Sequence, residues 1–263
     1  MAMKSRFFGI VTLGALAATW LVASNSVQAV VQWTEGAPMP SSRSEVAVAE
    51  LDGKIYVAGG FGGGRALEIY DPASDRWTRG APMPGTIHHA AAVALDGRLI
   101  VLGGYSNGWK PVDSVYEYNP GADRWRELAA LPTPRGALAA GVIEGRIHAI
   151  GGVGSNRQNS ASHEVYDPER NTWESRAALP TPRDHLSAAV VADRLYAIGG
   201  RKNGSYAHNL DVNEAYDARM DRWETRVPMP TPRSGISAVV LNDRVYVVGG
   251  EAPEGTFDEG EVY

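Results

Sequence analysis

The sequence contains no cysteine, which excludes disulfide bonds and attachment to lipid through an N-terminal cysteine. It also lacks an excess of positive charge, because the formal net charge is −5 at pH 7, and this disfavours nucleic acid as a partner. No segment has metal-ligand spacing as specific as that of an H-E-x-x-H motif. We therefore predict neither a metal nor a cofactor, and we expect burial alone to stabilise the fold.

The first 29 residues differ in composition from the rest of the chain. Lys4 and Arg6 precede an apolar run from Phe7 to Ala23, and small side chains at Val27 and Ala29 follow it. This order is typical of a secretory signal peptide cleaved after Ala29. Because the run is close to the lower limit for spanning a bilayer, an uncleaved anchor is the alternative. We predict an exported protein, periplasmic or extracellular, without stable membrane insertion after cleavage.

Glycine and proline recur along the chain at intervals instead of clustering, which is typical of turns between short strands. They belong to an internal repeat whose Gly-Gly pairs begin at Gly59, Gly103, Gly151, Gly199 and Gly249. A tryptophan lies 26 residues before each pair, at Trp33, Trp77, Trp125, Trp173 and Trp223. A tyrosine precedes four of these tryptophans by seven residues, at Tyr70, Tyr118, Tyr166 and Tyr216. A fixed period of this length is typical of propellers, solenoids and other proteins built from repeated structural units.

Within one repeat the apolar residues alternate with a period of two, as in Val46-Ala47-Val48-Ala49 before an Asp52-Gly53 turn. This pattern predicts a hairpin, whose strands we name a and b. A strand c that ends at the tyrosine and a strand d that carries the tryptophan complete a four-stranded antiparallel sheet. Such sheets bury both faces when they pack radially as a β-propeller. The predicted all-β domain spans residues 30–263, with units 43–77, 87–125, 135–173, 183–223 and 233–263 plus 31–36.

The order Pro-Arg, apolar strand, Gly-Gly, Glu-x-Tyr-Asp-Pro, Trp and Pro-Met-Pro or Leu-Pro resembles the Kelch repeat. The departures from it are Ile87 for arginine, Asn119 for aspartate and Ala218 for proline. The resemblance implies a Kelch-type propeller, with five blades visible. The lone strand d at Gln32-Trp33-Thr34 is predicted to complete the last blade and close the ring. Because Kelch propellers more often have six or seven blades, a truncated ring is the open alternative.

Loop order predicts where a ligand binds. The d-to-a and b-to-c connections share one edge of the propeller, and all the variation in loop length falls on that edge. The first residues of the a strands should surround the central channel there. The candidate ligand-binding residues on this edge are Glu45, His88, His89, Tyr105, Trp109, Asp184, His185, Arg201 and Glu251.

The leading hypothesis is a binding module that recognises a protein, peptide or glycan through this loop edge, as Kelch domains generally do. An alternative is a sugar-active enzyme resembling a sialic-acid mutarotase, for which Glu45, His89 and His185 are acid or base candidates. A structural component of the cell envelope is the third hypothesis, and it predicts a flat hydrophobic loop edge. No residue is assigned as catalytic, and the sequence does not fix the oligomeric state.

Overall fold

Tight turns between strands a and b, and between c and d, produce antiparallel sheets. The computed structural model describes residues 34–263. The first blade consists of β1 (Ala47–Leu51), β2 (Lys54–Ala58), β3 (Leu67–Asp71) and β4 (Arg76–Gly80). The second consists of β5 (Ala91–Leu95), β6 (Arg98–Leu102), the loop strands β7 (Tyr105–Ser106) and β8 (Lys110–Pro111), β9 (Val115–Asn119) and β10 (Arg124–Glu127).

The remaining blades repeat this order. The third consists of β11 (Arg135–Gly136), β12 (Ala139–Ile143), β13 (Arg146–Ile150), β14 (Val153–Gly154), β15 (His163–Asp167) and β16 (Thr172–Ser175). The fourth consists of β17 (Ser187–Val191), β18 (Arg194–Ile198), a 3₁₀ turn (Tyr206–His208), β19 (Asn213–Asp217) and β20 (Arg222–Thr225). The fifth consists of β21 (Ser237–Leu241), β22 (Arg244–Val248), β23 (Glu251–Ala252), β24 (Gly255–Thr256) and β25 (Gly260–Val262).

The blades form a five-bladed propeller, which confirms the predicted fold class. Four blades are antiparallel sheets in the order a-b-c-d, and the fifth contains the three strands β21, β22 and β25. The predicted signal peptide lies outside the described residues, and so do residues 31–33 of the predicted closing strand. Thr34, Glu35 and Gly36 are not part of a strand. No helix among residues 34–263 is long and apolar enough to cross a membrane.

The hydrophobic core lies between consecutive blades, because the inner strands are apolar on both faces. In β6, Leu99 and Val101 pack against the first blade, whereas Ile100 and Leu102 pack against the third. Similar clusters join the third blade to the fourth and the fourth to the fifth. Successive side chains of a strand point to opposite faces of the sheet, so each inner strand packs against both neighbouring blades.

The repeated tryptophan and tyrosine connect the second, third and fourth blades to the segment that leaves the preceding blade, and in the first blade they bond to the segment before β1. Trp125 Nε1 donates a hydrogen bond to the Ala81 carbonyl at 2.7 Å. The carboxylate of Asp123 accepts from the Ala81 amide at 2.6 Å and from the Tyr118 hydroxyl at 2.7 Å. Equivalent bonds occur at Trp77, Trp173 and Trp223. These residues therefore serve the architecture, and ligand recognition must be sought elsewhere.

A buried ion pair fixes the start of strand a to strand c in four of the five blades. Arg135 donates to Glu164 and to the Ala149 carbonyl, and both charged side chains are almost inaccessible to solvent. The second oxygen of Glu164 accepts from the Thr133 hydroxyl at 2.6 Å. The equivalent ion pairs are Arg43 with Glu68, Arg183 with Glu214 and Arg233 with Glu261.

The second blade replaces this ion pair with an apolar contact. Ile87 occupies the arginine position and Tyr116 the glutamate position, and both are buried. Gly85 takes the place of the threonine, and a Cβ atom there would lie only 2.9 Å from the Tyr116 hydroxyl. The second blade therefore lacks both the arginine and the glutamate charge, and the absence of a side chain at Gly85 leaves room for the Tyr116 hydroxyl. This combination avoids an unpaired buried charge.

The described residues leave the junction between the fifth and first blades open. At the other junctions, the second glycine of each Gly-Gly pair donates to the next blade at its arginine position, as from Gly200 to the Arg233 carbonyl at 2.8 Å. Among residues 34–263, no such bond joins Gly250 to Arg43. Three apolar side chains on the outer face of the fifth blade are half exposed: Val239 at 54%, Leu241 at 57% and Val248 at 50%.

Candidate ligand site at the channel mouth

Three repeated positions form the rim of the central channel. The first follows the arginine position and is occupied by Ser44, His88, Gly136, Asp184 and Ser234. The second is the next residue in each blade, namely Glu45, His89, Ala137, His185 and Gly235. The third follows the Gly-Gly pair and is occupied by Phe61, Tyr105, Val153, Arg201 and Glu251. Short antiparallel bridges join the first position to the third in every blade. The loops are thereby fixed to the channel as rigid elements.

The second rim position has left-handed backbone geometry in all five blades, with φ between 51° and 62°. In the second to fifth blades, this residue donates its amide hydrogen to the carbonyl of the equivalent residue in the preceding blade. His89 bonds to Glu45 at 3.0 Å, and His185 bonds to Ala137 at 3.0 Å. Glycine adopts this conformation without a steric penalty, whereas the other residues adopt it at a steric cost. The hydrogen bonds hold these side chains around one cavity.

The cavity at the channel mouth has a volume of about 300 Å³ and is lined by Glu45, His89, His185 and Glu251 among others. Arg201 links two of its walls. The guanidinium donates to Glu251 at 2.7 Å and lies 3.3 Å from Asp184 Oδ1. Its Nη2 atom lies 2.9 Å from His185 Nε2. The charged groups are therefore connected and fixed before any ligand arrives.

The two adjacent histidines of the second blade form the opposite wall. Their Nδ1 atoms are 2.7 Å apart, so the N–H of one ring donates a hydrogen bond to the other ring. His89 Nε2 lies 3.2 Å from a carboxylate oxygen of Glu45. The rings of His89 and His185 meet edge to face with centroids 5.1 Å apart. The imidazoles of separate blades thus converge on one point.

An aromatic cluster covers this wall on the solvent side. Trp109 has a backbone φ of 59°, and its ring lies 5.0 Å from His88 and 5.1 Å from His89. Tyr105 and Phe61 pack against the same indole at 5.3 and 5.6 Å. The side chain of Trp109 nevertheless remains 57% exposed. A large aromatic surface therefore lies beside the polar cavity and open to solvent.

Burial perturbs the acid–base properties of these side chains. It lowers the pKa of His89 to about 3 and also lowers the pKa of His88, so both rings are neutral near pH 7. Burial raises the pKa of Glu45 above its usual range and that of Tyr105 to about 12. Burial would also raise the pKa of Asp184, but hydrogen bonds from His185 and Asn159, together with Arg201, lower it overall. Carboxylates with oppositely shifted pKa values can serve different roles in one site.

All nine residues singled out from the sequence lie at this edge, around the cavity and its aromatic cover. Glu45, His89, His185 and Glu251 line the cavity. The other five contact these or each other: His88, Tyr105, Trp109, Asp184 and Arg201.

Sequence analysis missed Phe61, whose ring stacks on His88 with centroids 4.2 Å apart. It occupies the same rim position as Tyr105 and Arg201, and comparing the residues after each Gly-Gly pair would have found it. Asn159 was also missed. It reaches Asp184 from the longer loop of the third blade, for which no repeat position gave a signal.

The segment Gly104-Tyr105-Ser106-Asn107-Gly108 matches the letters of the G-x-S-x-G nucleophile elbow. Ser106 lies instead in the extended strand β7, which pairs with β8 as a small hairpin. Its hydroxyl is directed to the Lys110 carbonyl at 3.4 Å. The strand-to-helix turn that makes such a serine nucleophilic is replaced here by a hairpin, and the motif carries no hydrolase chemistry.

Comparison with known proteins agrees with this architecture. The family model described as the KLHDC2/KLHL20/DRC7 Kelch-repeats domain matches residues 66–250, and the Kelch motif model matches residues 42–84. No curated protein matches the chain. Among solved structures, the one titled "Structure of YjhT" is similar with a TM-score of 0.70 and 22% identity, over 82% of this chain and 74% of that chain. This last similarity shows the fold alone. Because the first family model covers more than half of the chain, the protein belongs to the Kelch-repeat family of β-propellers.

Proposed function

We propose that this propeller is a binding module that holds a carbohydrate at the channel mouth. The exposed indole of Trp109 beside the polar cavity is the observation that carries the proposal. A sugar ring has apolar C–H faces that stack on an indole and hydroxyl groups that need hydrogen-bond partners. Glu45 and His185 line the cavity, and Arg201 bonds to His185 and Glu251 in its wall, so acceptors and donors of both charge types lie together.

A second cleft supports an extended ligand. It has a volume of about 650 Å³ on the other side of Trp109, and Lys110, Val153 and Arg157 contribute to its lining. Trp109 lines this cleft and also contacts His89, which lines the cavity at the channel mouth. An oligosaccharide could place one ring in the channel and the next over the indole. A concave, charged edge of this kind also disfavours the structural-component hypothesis, which predicts a flat hydrophobic one.

The second candidate function is acid–base catalysis on a sugar. His185 Nδ1 is 2.5 Å from Asp184 Oδ1, the arrangement in which a carboxylate orients a catalytic imidazole. Glu45, with its raised pKa, is the complementary proton donor. In that case His185→Gln should abolish turnover of a bound sugar but leave its binding within a few-fold of the wild type. Exchange between the two anomers of the sugar, followed by NMR, is the measurement that separates catalysis from binding alone.

Removal of the indole is expected to weaken glycan binding. We expect Trp109→Ala to raise the Kd of the tightest-binding glycan from an array by at least about tenfold, because a central aromatic anchor commonly contributes 2 kcal/mol or more. Titration calorimetry on both proteins measures the change.

The control for this experiment is Met220→Ala, which removes an exposed apolar side chain from a c-to-d turn at the opposite edge. It should bind like the wild type. Equal affinity of the Trp109→Ala variant and the wild type would contradict a site at the channel mouth. Selective capture of a peptide, with no glycan bound, would favour the other ligand class of the leading hypothesis.

We also propose that the protein is exported and binds its glycan outside the cytoplasm. The basic and apolar composition of residues 1–29 supports this. When the full chain is expressed in a secreting host, mass spectrometry of the exported protein should give an N-terminus at Val30. A protein found only in the membrane fraction with residues 1–29 attached would favour the anchor alternative.

A further inference from the structure

The geometry points to a divalent transition-metal site at the channel mouth, with Glu45, His89 and His185 as its protein ligands. One candidate ligand atom from each residue lies within 4.8 Å of the other two. Glu45 Oε2 and His89 Nε2 are 3.2 Å apart. This is close to the roughly 3.3 Å between neighbouring ligands of a tetrahedral zinc ion. The inference goes beyond the proposed function and does not rest on it, because the ion can bind without a sugar.

Both imidazoles have their other ring nitrogen already engaged. Asp184 Oδ1 holds His185 Nδ1 at 2.5 Å, and His88 Nδ1 holds His89 Nδ1 at 2.7 Å. Metal-ligating histidines typically make such a second contact, which fixes the tautomer and the orientation of the ring. When His89 Nδ1 donates to His88 and His185 Nδ1 donates to Asp184, the Nε2 atom of each ring carries the lone pair and is the ligand atom. The carboxylate–histidine arrangement at Asp184 is the commonest form of this support.

The local charge also favours a divalent cation. Glu45, Asp184 and Glu251 bring three carboxylates to the cavity, and Arg201 brings one guanidinium. The three carboxylates and the one guanidinium sum to a formal charge of minus two, and an imidazole that ligates a metal adds none. A divalent ion balances this charge in a partly buried setting, where unbalanced charge is costly.

Arg201 both supports and limits the site. A guanidinium can only donate hydrogen bonds, so the contact at 2.9 Å shows that His185 Nε2 presents a lone pair. An ion at that atom must displace this one contact, while Arg201 keeps its partners Asp184 and Glu251. The positive charge then opposes the ion. We therefore infer moderate affinity that is set by competition with Arg201.

The donor set selects the class of metal. Two imidazoles and one carboxylate suit Zn²⁺, Co²⁺ or Fe²⁺ better than the all-oxygen sites of Mg²⁺ and Ca²⁺. Three protein ligands leave at least one coordination position free, as in catalytic zinc sites. That position faces the cavity, where a hydroxyl or carboxylate of a ligand could bind to the ion.

Zinc titration of the untagged protein tests the site. We expect one Zn²⁺ per chain by calorimetry, with the Kd raised at least about tenfold in each of Glu45→Gln, His89→Gln and His185→Gln. Arg201→Gln should bind Zn²⁺ more tightly than the wild type, because the competing cation is gone. A residue with a merely structural role would not give this gain. His208→Gln, an exposed histidine on the 3₁₀ turn, is the control and should bind unchanged.

Cooperative thermal unfolding confirms that each variant folds, and His185→Asn replaces His185→Gln if that variant does not fold. A wild type that binds no Zn²⁺, or three ligand variants that bind like the wild type, would overturn the site. Unchanged or weaker affinity in Arg201→Gln would overturn the position of the ion at His185 Nε2. Glycan binding is measured separately, in EDTA, so that the two proposals can fail independently. A protein that binds a glycan but no zinc overturns the metal site alone. A protein that binds zinc but no glycan overturns the carbohydrate proposal alone.

Discussion

Arg135→Leu should lower the free energy of unfolding by about 3–5 kcal/mol, because it leaves the buried carboxylate of Glu164 without a counter-charge. Both side chains are almost fully buried, and Arg135 also donates to two backbone carbonyls that would lose their partner. Urea denaturation of the wild type and the variant measures the difference.

The second blade supplies the control for this experiment. The triple variant Thr133→Gly, Arg135→Ile and Glu164→Tyr copies Gly85, Ile87 and Tyr116 into the third blade. It should recover most of the lost stability, since replacing both charges with apolar groups of suitable volume is often nearly neutral. An Arg135→Leu protein within 1 kcal/mol of the wild type would contradict the assignment of this ion pair as an essential contact of the blade.

Acidification is expected to destabilise the protein through a second pair of buried histidines. His148 and His163 lie on neighbouring strands of the third blade, with ring nitrogens 2.9 Å apart. Burial, with added repulsion from nearby positive charges, lowers the pKa of His148 to about 3 and that of His163 to about 4. The unfolded chain takes up these protons near pH 6.5, well before the folded one.

The sign of the effect follows from proton uptake. Between about pH 6.5 and pH 4 the unfolded state binds more protons, so stability falls as the pH falls. Two histidines can together remove up to about 5 kcal/mol by pH 4.5. Chemical denaturation at a series of pH values measures this slope.

The fourth blade provides a matched variant without these titrating groups. Tyr196 and Asn213 occupy the two histidine positions there, and Tyr196 packs near Tyr263 as His148 packs near Tyr216. The double variant His148→Tyr and His163→Asn should therefore fold and lose the part of the acid sensitivity that this pair contributes, while the part that comes from His88 and His89 remains. Parallel pH profiles of the variant and the wild type would show instead that other groups, such as His88, His89 or the carboxylates, control acid unfolding.

The repeat made the rim of the channel predictable from sequence. His89 and His185 share one phase relative to the Gly-Gly pairs, and a propeller brings equal phases to equal heights around its axis. Tyr105 and Arg201 were instead found because they lie in the b-to-c loops, whose length varies between blades. Departures from the repeat were therefore the informative positions, since the repeated residues serve the blades.

The contacts within the site were not predictable, because they depend on loop conformation. Trp109 covers the histidines only because its backbone is left-handed at the tip of the β7–β8 hairpin. Asn159 reaches Asp184 across a blade boundary from a loop of irregular length. The convergence of Glu45, His89 and His185 on one point also required the twist between blades. This is why linear ligand spacing gave no sign of a metal site.

A crystal structure of the protein with the tightest-binding glycan tests the central claim most directly. We expect a sugar ring stacked on the Trp109 indole, with hydroxyl groups within hydrogen-bond distance of Glu45, His185 or Arg201. A glycan bound at the c-to-d turns or on the flank of a blade, with the channel mouth empty, would contradict the account.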